Sequence, residues 1–226
     1  MRLVTCTRLL PAFVAVALAL PASAAAQSGG AAAPEPAPAQ AASEVALVAA
    51  PQALLGQESV LRGTAPRSAR GRVLRVQRFD DAAKRWRSEA RATVGRNGRF
   101  RVRWSPTTLG AQRIRATLQR RRSASVTSAS PEVSVRVFKP GMATWYGPGL
   151  YGNKTACGQV LTKDLVGVAH KSLPCGTELT LRYHGNTVRV EVIDRGPYVG
   201  GREFDLTAAT KQRLGFPSTG TVLSSK

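Results

Sequence analysis

The side chains able to do chemistry gather in the last third of the chain. Cys157, His170, Cys175 and His184 are followed by Asp194 and Asp205. Two cysteines around a histidine admit three chemistries: a metal site, a thiol nucleophile, or a disulfide beside an acid/base site. A structural zinc centre takes about four Cys/His ligands, and only Cys157, Cys175 and His170 are close in sequence. A nucleophilic cysteine needs a free thiol. Asp194 closes a strand-like alternating run, Val188 to Ile193, and Arg195-Gly196-Pro197-Tyr198 turns the chain behind it. A carboxylate at a strand end beside a glycine turn is held by the scaffold and exposed by the loop, which suits a general acid or base. The same Asp is equally suited to pair with Arg195 or to accept turn N–H groups. Asp205 either caps the following helix or faces the same cleft. His170 ends the run Val166 to Ala169 and is a catalyst or a structural hydrogen-bonder. His184, in the turn Tyr183-His184-Gly185-Asn186, reads as exposed and inert. Trp145 and Tyr146, before Gly147-Pro148-Gly149, pack a core or offer flat faces to a sugar ring.

The N-terminus decides the compartment. Arg2 and Arg8 give a positive region before an apolar run from Leu9 to Leu20, and Pro21-Ala22-Ser23-Ala24 and Ala24-Ala25-Ala26-Gln27 offer small-residue cleavage sites. Residues 1–26 read as a signal peptide, so a secreted or cell-envelope location is expected. No other stretch reaches membrane-spanning length, and an integral membrane protein is not expected. Cleavage removes Cys6 and leaves two cysteines 18 residues apart. In an exported chain such a pair favours a disulfide, worth about 3 kcal/mol for a loop of this size. No metal and no cofactor is expected.

The net charge of +20 is uneven: +2 over 1–26, −2 over 27–50, +16 over 51–140 and +4 over 141–226. A segment this basic attracts polyanions or merely carries arginine on solvated strand faces. An exported protein rarely meets nucleic acid, so anionic wall polymers or headgroups are the expected partners.

The elements that hold these residues follow from periodicity. Residues 27–50 are Ala/Pro-rich and read as a linker. Residues 51–139 show period-two alternation of apolar residues with Arg at 59–63, 72–79, 99–104, 112–118 and 133–137, broken by turn signals such as Gly95-Arg96-Asn97-Gly98. One apolar face per strand predicts two antiparallel sheets, an immunoglobulin-like β-sandwich. Residues 140–226 form a second domain rich in Gly, with a hairpin over 179–193 and a short helix capped by Thr207 or Asp205 and stopped at Gly215.

In order, Trp145-Tyr146-Gly147, Thr155-Ala156, Ala169-His170-Lys171 with Leu173-Pro174 and Gly176, Asp194-Arg195-Gly196-Pro197 and Phe204-Asp205-Leu206 resemble the rare lipoprotein A (RlpA) family over 141–217. The resemblance implies an all-β protein whose second domain is a six-stranded double-psi β-barrel, shared with expansins and MltA-type enzymes. It also implies that Cys157 and Cys175 pair. Characterised members are lytic transglycosylases that cleave the β-1,4 bond between N-acetylmuramic acid and N-acetylglucosamine of peptidoglycan, leaving 1,6-anhydro ends. By resemblance Asp194 and His170 are catalytic, and Asp205 matches the essential aspartate of expansins. Trp145, Tyr146, Gln159, Arg195 and Tyr198 are expected to bind glycan. Gln159 departs from the pattern: active members commonly have Glu there, 11 residues before the histidine. Gln keeps the hydrogen bonds and loses the proton. A non-catalytic, expansin-like wall-binding or wall-loosening protein is therefore the alternative.

Overall fold

The computed structural model describes residues 45–119 and 126–226. The expected export signal and most of the expected linker lie outside them. The first elements are β1 (Ala46–Val48), β2 (Gln52–Leu54), β3 (Ser59–Thr64), β4 (Val73–Asp80), β5 (Arg85–Thr93), β6 (Arg99–Trp104), β7 (Gly110–Gln119), β8 (Val126–Ala129) and β9 (Val133–Tyr146). They form two packed sheets, one in the order β1-β3-β6 and the other running β9-β7-β4-β5. In the second sheet β8 lies beside β7, and β2 beside β9. The inward residues Leu61, Phe100, Val102 and Trp104 of the first share a core with Leu74, Val76, Ile114, Val135 and Val137 of the second. Strand β6 shows why: Arg and apolar residues alternate without a break, and exposed and buried positions alternate with them.

Two stretches read differently in the structure. Ala46–Val48, inside the stretch read as linker, is a strand antiparallel to β3, and Val45 and Leu47 are buried in the sandwich core. Strand β5 alternates Arg85, Arg87, Glu89 and Arg91 with Trp86, Ser88, Ala90 and Ala92, a face too small and too polar to stand out as apolar. Pairing with β4 along its whole length makes it a strand.

The second half of β9 begins the barrel. It is followed by β10 (Val168–His170), β11 (Glu178–Tyr183), β12 (Asn186–Asp194), β13 (Phe204–Thr207), α1 (Ala208–Leu214) and β14 (Gly220–Ser224). The pairings close a six-stranded ring in the order β9-β13-β10-β12-β11-β14 and back to β9. Two of its contacts are parallel, β9 with β13 and β10 with β12. Val168, Leu181, Val190, Val192, Phe204, Leu206, Leu214 and Val222 fill the interior. The all-β class, with one short α-helix among the described residues, is what the sequence implied. The helix is capped by Thr207, whose hydroxyl accepts the Thr210 N–H, and it ends at Gly215 with φ 64°. Asp205 is thus released from capping.

Candidate active site

Asp194 owes its direction to one extra residue. In the parallel pair β10–β12, Val168 sits opposite Val192, but Ala169 sits opposite Asp194, so Ile193 is a bulge. Bulges re-aim the side chains that follow them. Without it Ala169 would face Ile193, and Asp194 would turn to the other side of the sheet. With it, register partners line up across four strands: Thr144, Asp205, Ala169 and Asp194. Partners in a row share a face of the sheet. Two strand spacings put the backbones of the two aspartates about 10 Å apart, with the short side chain of Ala169 between them.

Each carboxylate is fixed by donors. The backbone N–H groups of Ala156 and Arg195 both donate to Asp194 Oδ1, each at 2.8 Å. The Thr144 hydroxyl donates to Asp205 Oδ1. Tyr146 lies beside both carboxylates. Burial, then the negative charge of Asp194 and lastly that of Asp205, push its hydroxyl far above the ordinary range for tyrosine, so it stays protonated. Its oxygen is close enough to Asp194 to feel that charge, yet it forms no hydrogen bond of normal geometry among the described residues. Tyr146, Asp194, Thr155, Asn153, Lys154 and Leu150 line a cavity of about 180 Å3.

Gln159 stands next to this cavity. Its side-chain Oε1 accepts the Thr155 hydroxyl at 3.1 Å, and its carbonyl accepts the Thr155 N–H at 2.8 Å. Those bonds tie the 155–159 loop, whose Ala156 N–H holds Asp194. Cys157 and Cys175 are joined in a disulfide with Cα atoms 5.7 Å apart, which links the same loop to the segment after His170.

His170 belongs to a second cluster. Its Nδ1 accepts the N–H groups of Ser172 and Leu173 at 3.1 and 3.0 Å, which leaves the proton on Nε2. Nε2 faces Glu203 Oε1 at 4.0 Å, and Glu203 pairs with Lys139 at 2.8 Å. Burial lowers the His170 pKa from its ordinary 6.5. Glu203 opposes the shift, and Lys139, Arg195 and Lys171 add to it. Arg195 donates to the carbonyls of Leu173 at 2.9 Å and His170 at 3.4 Å, and to Cys175 Sγ at 3.3 Å. The guanidinium clamps the 170–175 segment.

The structure brings Asp194, Asp205, Tyr146 and Gln159 together. It sets Trp145 on the opposite face of β9 from Tyr146, as successive strand residues must be. There Trp145 pairs in register with Leu206, packs against the barrel core and carries Lys211 Nζ 4.3 Å over its ring. Tyr198 is 85% exposed. His184 is exposed, with its ring against Tyr183. Thr144 and Glu203 were not singled out from the sequence. The available signals were their places two residues before Tyr146 and two before Asp205.

A closed six-stranded ring with two parallel contacts and two aspartates in one row across its wall is the double-psi β-barrel class. Residues 139–223 match the family described as lytic transglycolase, and this segment belongs to the RlpA-like double-psi β-barrel family. Over 113 residues the chain is 36% identical to a probable endolytic peptidoglycan transglycosylase RlpA of a Synechocystis species, covering 49% of this chain and 35% of that one. It is 42% identical over 84 residues to the Aquifex aeolicus protein of the same description, covering 36% and 37%. It is 32% identical over 125 residues to the endolytic peptidoglycan transglycosylase RlpA of Neisseria meningitidis, covering 54% and 52%. The chain thus spans about a third to a half of the length of these relatives. No helix among the described residues is long and apolar enough to cross a membrane.

Proposed function

We propose that this is an exported lytic transglycosylase that cleaves the β-1,4 bond between N-acetylmuramic acid and N-acetylglucosamine in peptidoglycan at the cell envelope. The carrying observation is Asp194, aimed out of the barrel by the Ile193 bulge into a cavity that it shares with Tyr146. In the reaction Asp194, protonated in the reactive form, gives its proton to the leaving 4-oxygen as the C1–O4 bond breaks. The muramic 6-hydroxyl closes on C1, and its proton passes back to Asp194. No water is consumed, and the enzyme regains its starting protonation.

The other residues serve this carboxyl group. Tyr146, kept protonated, offers an O–H to the cavity. Asp205, held by Thr144, supplies negative charge on the far side of Ala169, where an oxocarbenium-like centre develops. Arg195 and the disulfide fix the loops that flank the site. Gln159 and the exposed Tyr198 contact glycan, with Trp145 set back behind the wall. His170 supports the site by shaping the 170–175 segment. The test is mass spectrometry of isolated glycan strands after incubation with the purified chain. New 1,6-anhydro-muramic ends are expected, and intact strands refute the reading.

One observation favours a second reading. Gln159, bonded to Thr155 beside the cavity, is chemically unable to exchange a proton. An expansin-like protein would hold glycan in this cleft without cutting it. It would show glycan binding with no anhydro product.

A further inference from the structure

The outer face of the β1-β3-β6 sheet carries a charge arrangement that folding alone disfavours. In the β3–β6 ladder Arg62 sits directly opposite Arg101, and Thr64 directly opposite Arg99. Like charges directly opposite each other on a strand pair are destabilising. All three arginines are exposed, and none has a carboxylate or ring partner among the described residues. Several arginines elsewhere on the sandwich are engaged. Arg78 pairs with Glu89, Arg87 with Asp80, Arg103 with Glu58 and Arg113 with Glu132, while Arg115 lies over the Trp86 ring. The unpaired block also lines a groove of about 600 Å3, together with Thr64, Thr93 and the 65%-exposed Val48.

We propose that this groove is a binding site for a phosphate-bearing polymer strand. Neighbouring strands bring Arg62 and Arg101 about 5 Å apart at the backbone, and Arg99 follows about 7 Å along β6. Three guanidinium forks and two threonine hydroxyls offer many donors and no competing carboxylate. A polymer with a phosphate in every repeat supplies several negative charges along one path, and guanidinium binds phosphate oxygens two at a time. The site is separate from the barrel, and the inference does not rest on the glycan-cleaving reading.

The test is binding of long-chain inorganic polyphosphate to the full chain by fluorescence anisotropy at low salt. Two double variants of equal charge loss are compared: Arg62→Gln with Arg101→Gln, and Arg75→Gln with Arg91→Gln. Arg75 and Arg91 also face each other, on the other sheet and outside the groove. Loss of Arg62 and Arg101 is expected to weaken binding at least tenfold with no fall in melting temperature. Loss of Arg75 and Arg91 is expected to weaken it less than threefold. Should the double variant fail to fold, Arg101→Gln alone gives the same comparison against Arg91→Gln. Equal losses in both variants would mean a diffuse basic field and overturn the site. So would absent binding, or tighter binding of polyglutamate or phosphatidylglycerol vesicles than of polyphosphate.

Discussion

Replacing Asp194 by Asn separates the chemistry of this carboxyl group from its structural part. Asn keeps an oxygen where Oδ1 now accepts the Ala156 and Arg195 N–H groups at 2.8 Å, so the loop contacts persist as neutral bonds. Charge-assisted bonds are about twice as strong as neutral ones, and neutral ones contribute about 1 kcal/mol each. Two such bonds weakened predict a stability loss of about 1–2 kcal/mol. For a folded region of this size that is a fall in Tm of about 2–8 °C. The rate should fall much further, by about 10²–10⁴, because the amide cannot carry the proton. The assay is the initial rate of 1,6-anhydro-muramic ends from peptide-free glycan strands, with calorimetry of the same preparations. A variant that keeps its Tm within that range and stays within tenfold of the native rate would refute the assignment. If Asp205→Asn instead falls by 10²–10⁴ while Asp194→Asn does not, the acid lies on the other side of Ala169.

Further outcomes follow from the same geometry. Gln159→Glu keeps the acceptor for Thr155 and adds a titrating carboxyl, so the rate of anhydro-end formation should rise about tenfold or more; an unchanged rate means Gln159 is a tie and nothing else. The His170 pKa is depressed in the folded state, so the unfolded chain binds the extra proton. Its contribution to stability is complete above about pH 6.5 and is lost as pH falls through the folded pKa. In an NMR titration His170 should therefore titrate below the ordinary 6.5, and Glu203→Gln should lower it further. Reducing the Cys157–Cys175 bridge should cost about 3 kcal/mol, a fall in Tm of roughly 6–12 °C. Thr207→Ala removes the helix cap, and a loss of about 1 kcal/mol in denaturant melts checks it.

Much of the sandwich was legible because alternation in strands such as β6 is a local property. Barrel closure was not, since β13 pairs with β9, about 60 residues earlier, and alternation says which face is buried without saying who the partner is. The family motifs supplied that topology. At the site, Asp194 could be read as a strand end beside a glycine turn, but its direction depends on the single bulged residue Ile193, which leaves no mark in composition. Trp145 and Tyr146 had to face opposite ways. Which of them faces the core is set by the Leu206 and Thr207 partners across the parallel contact. Strand β5 escaped notice for the opposite reason: its arginines suit an exposed edge, and only pairing with β4 defines it.

Strand β9 gives the two modules a common wall. Its residues 133–137 pair with β7, and residues 139–143 pair with β14. Arg136 reaches from the first set to Thr180 of the barrel. No swivel interrupts the backbone between the two sets of bonds. A pull on the sandwich therefore loads the barrel directly, through shear along a ladder of hydrogen bonds. A polymer tethered on one module would hold the other at a constant offset, as a caliper jaw is held by its beam. On the proposed function, the distance between a tethered polymer and a cut in neighbouring glycan would then be a length set by the protein.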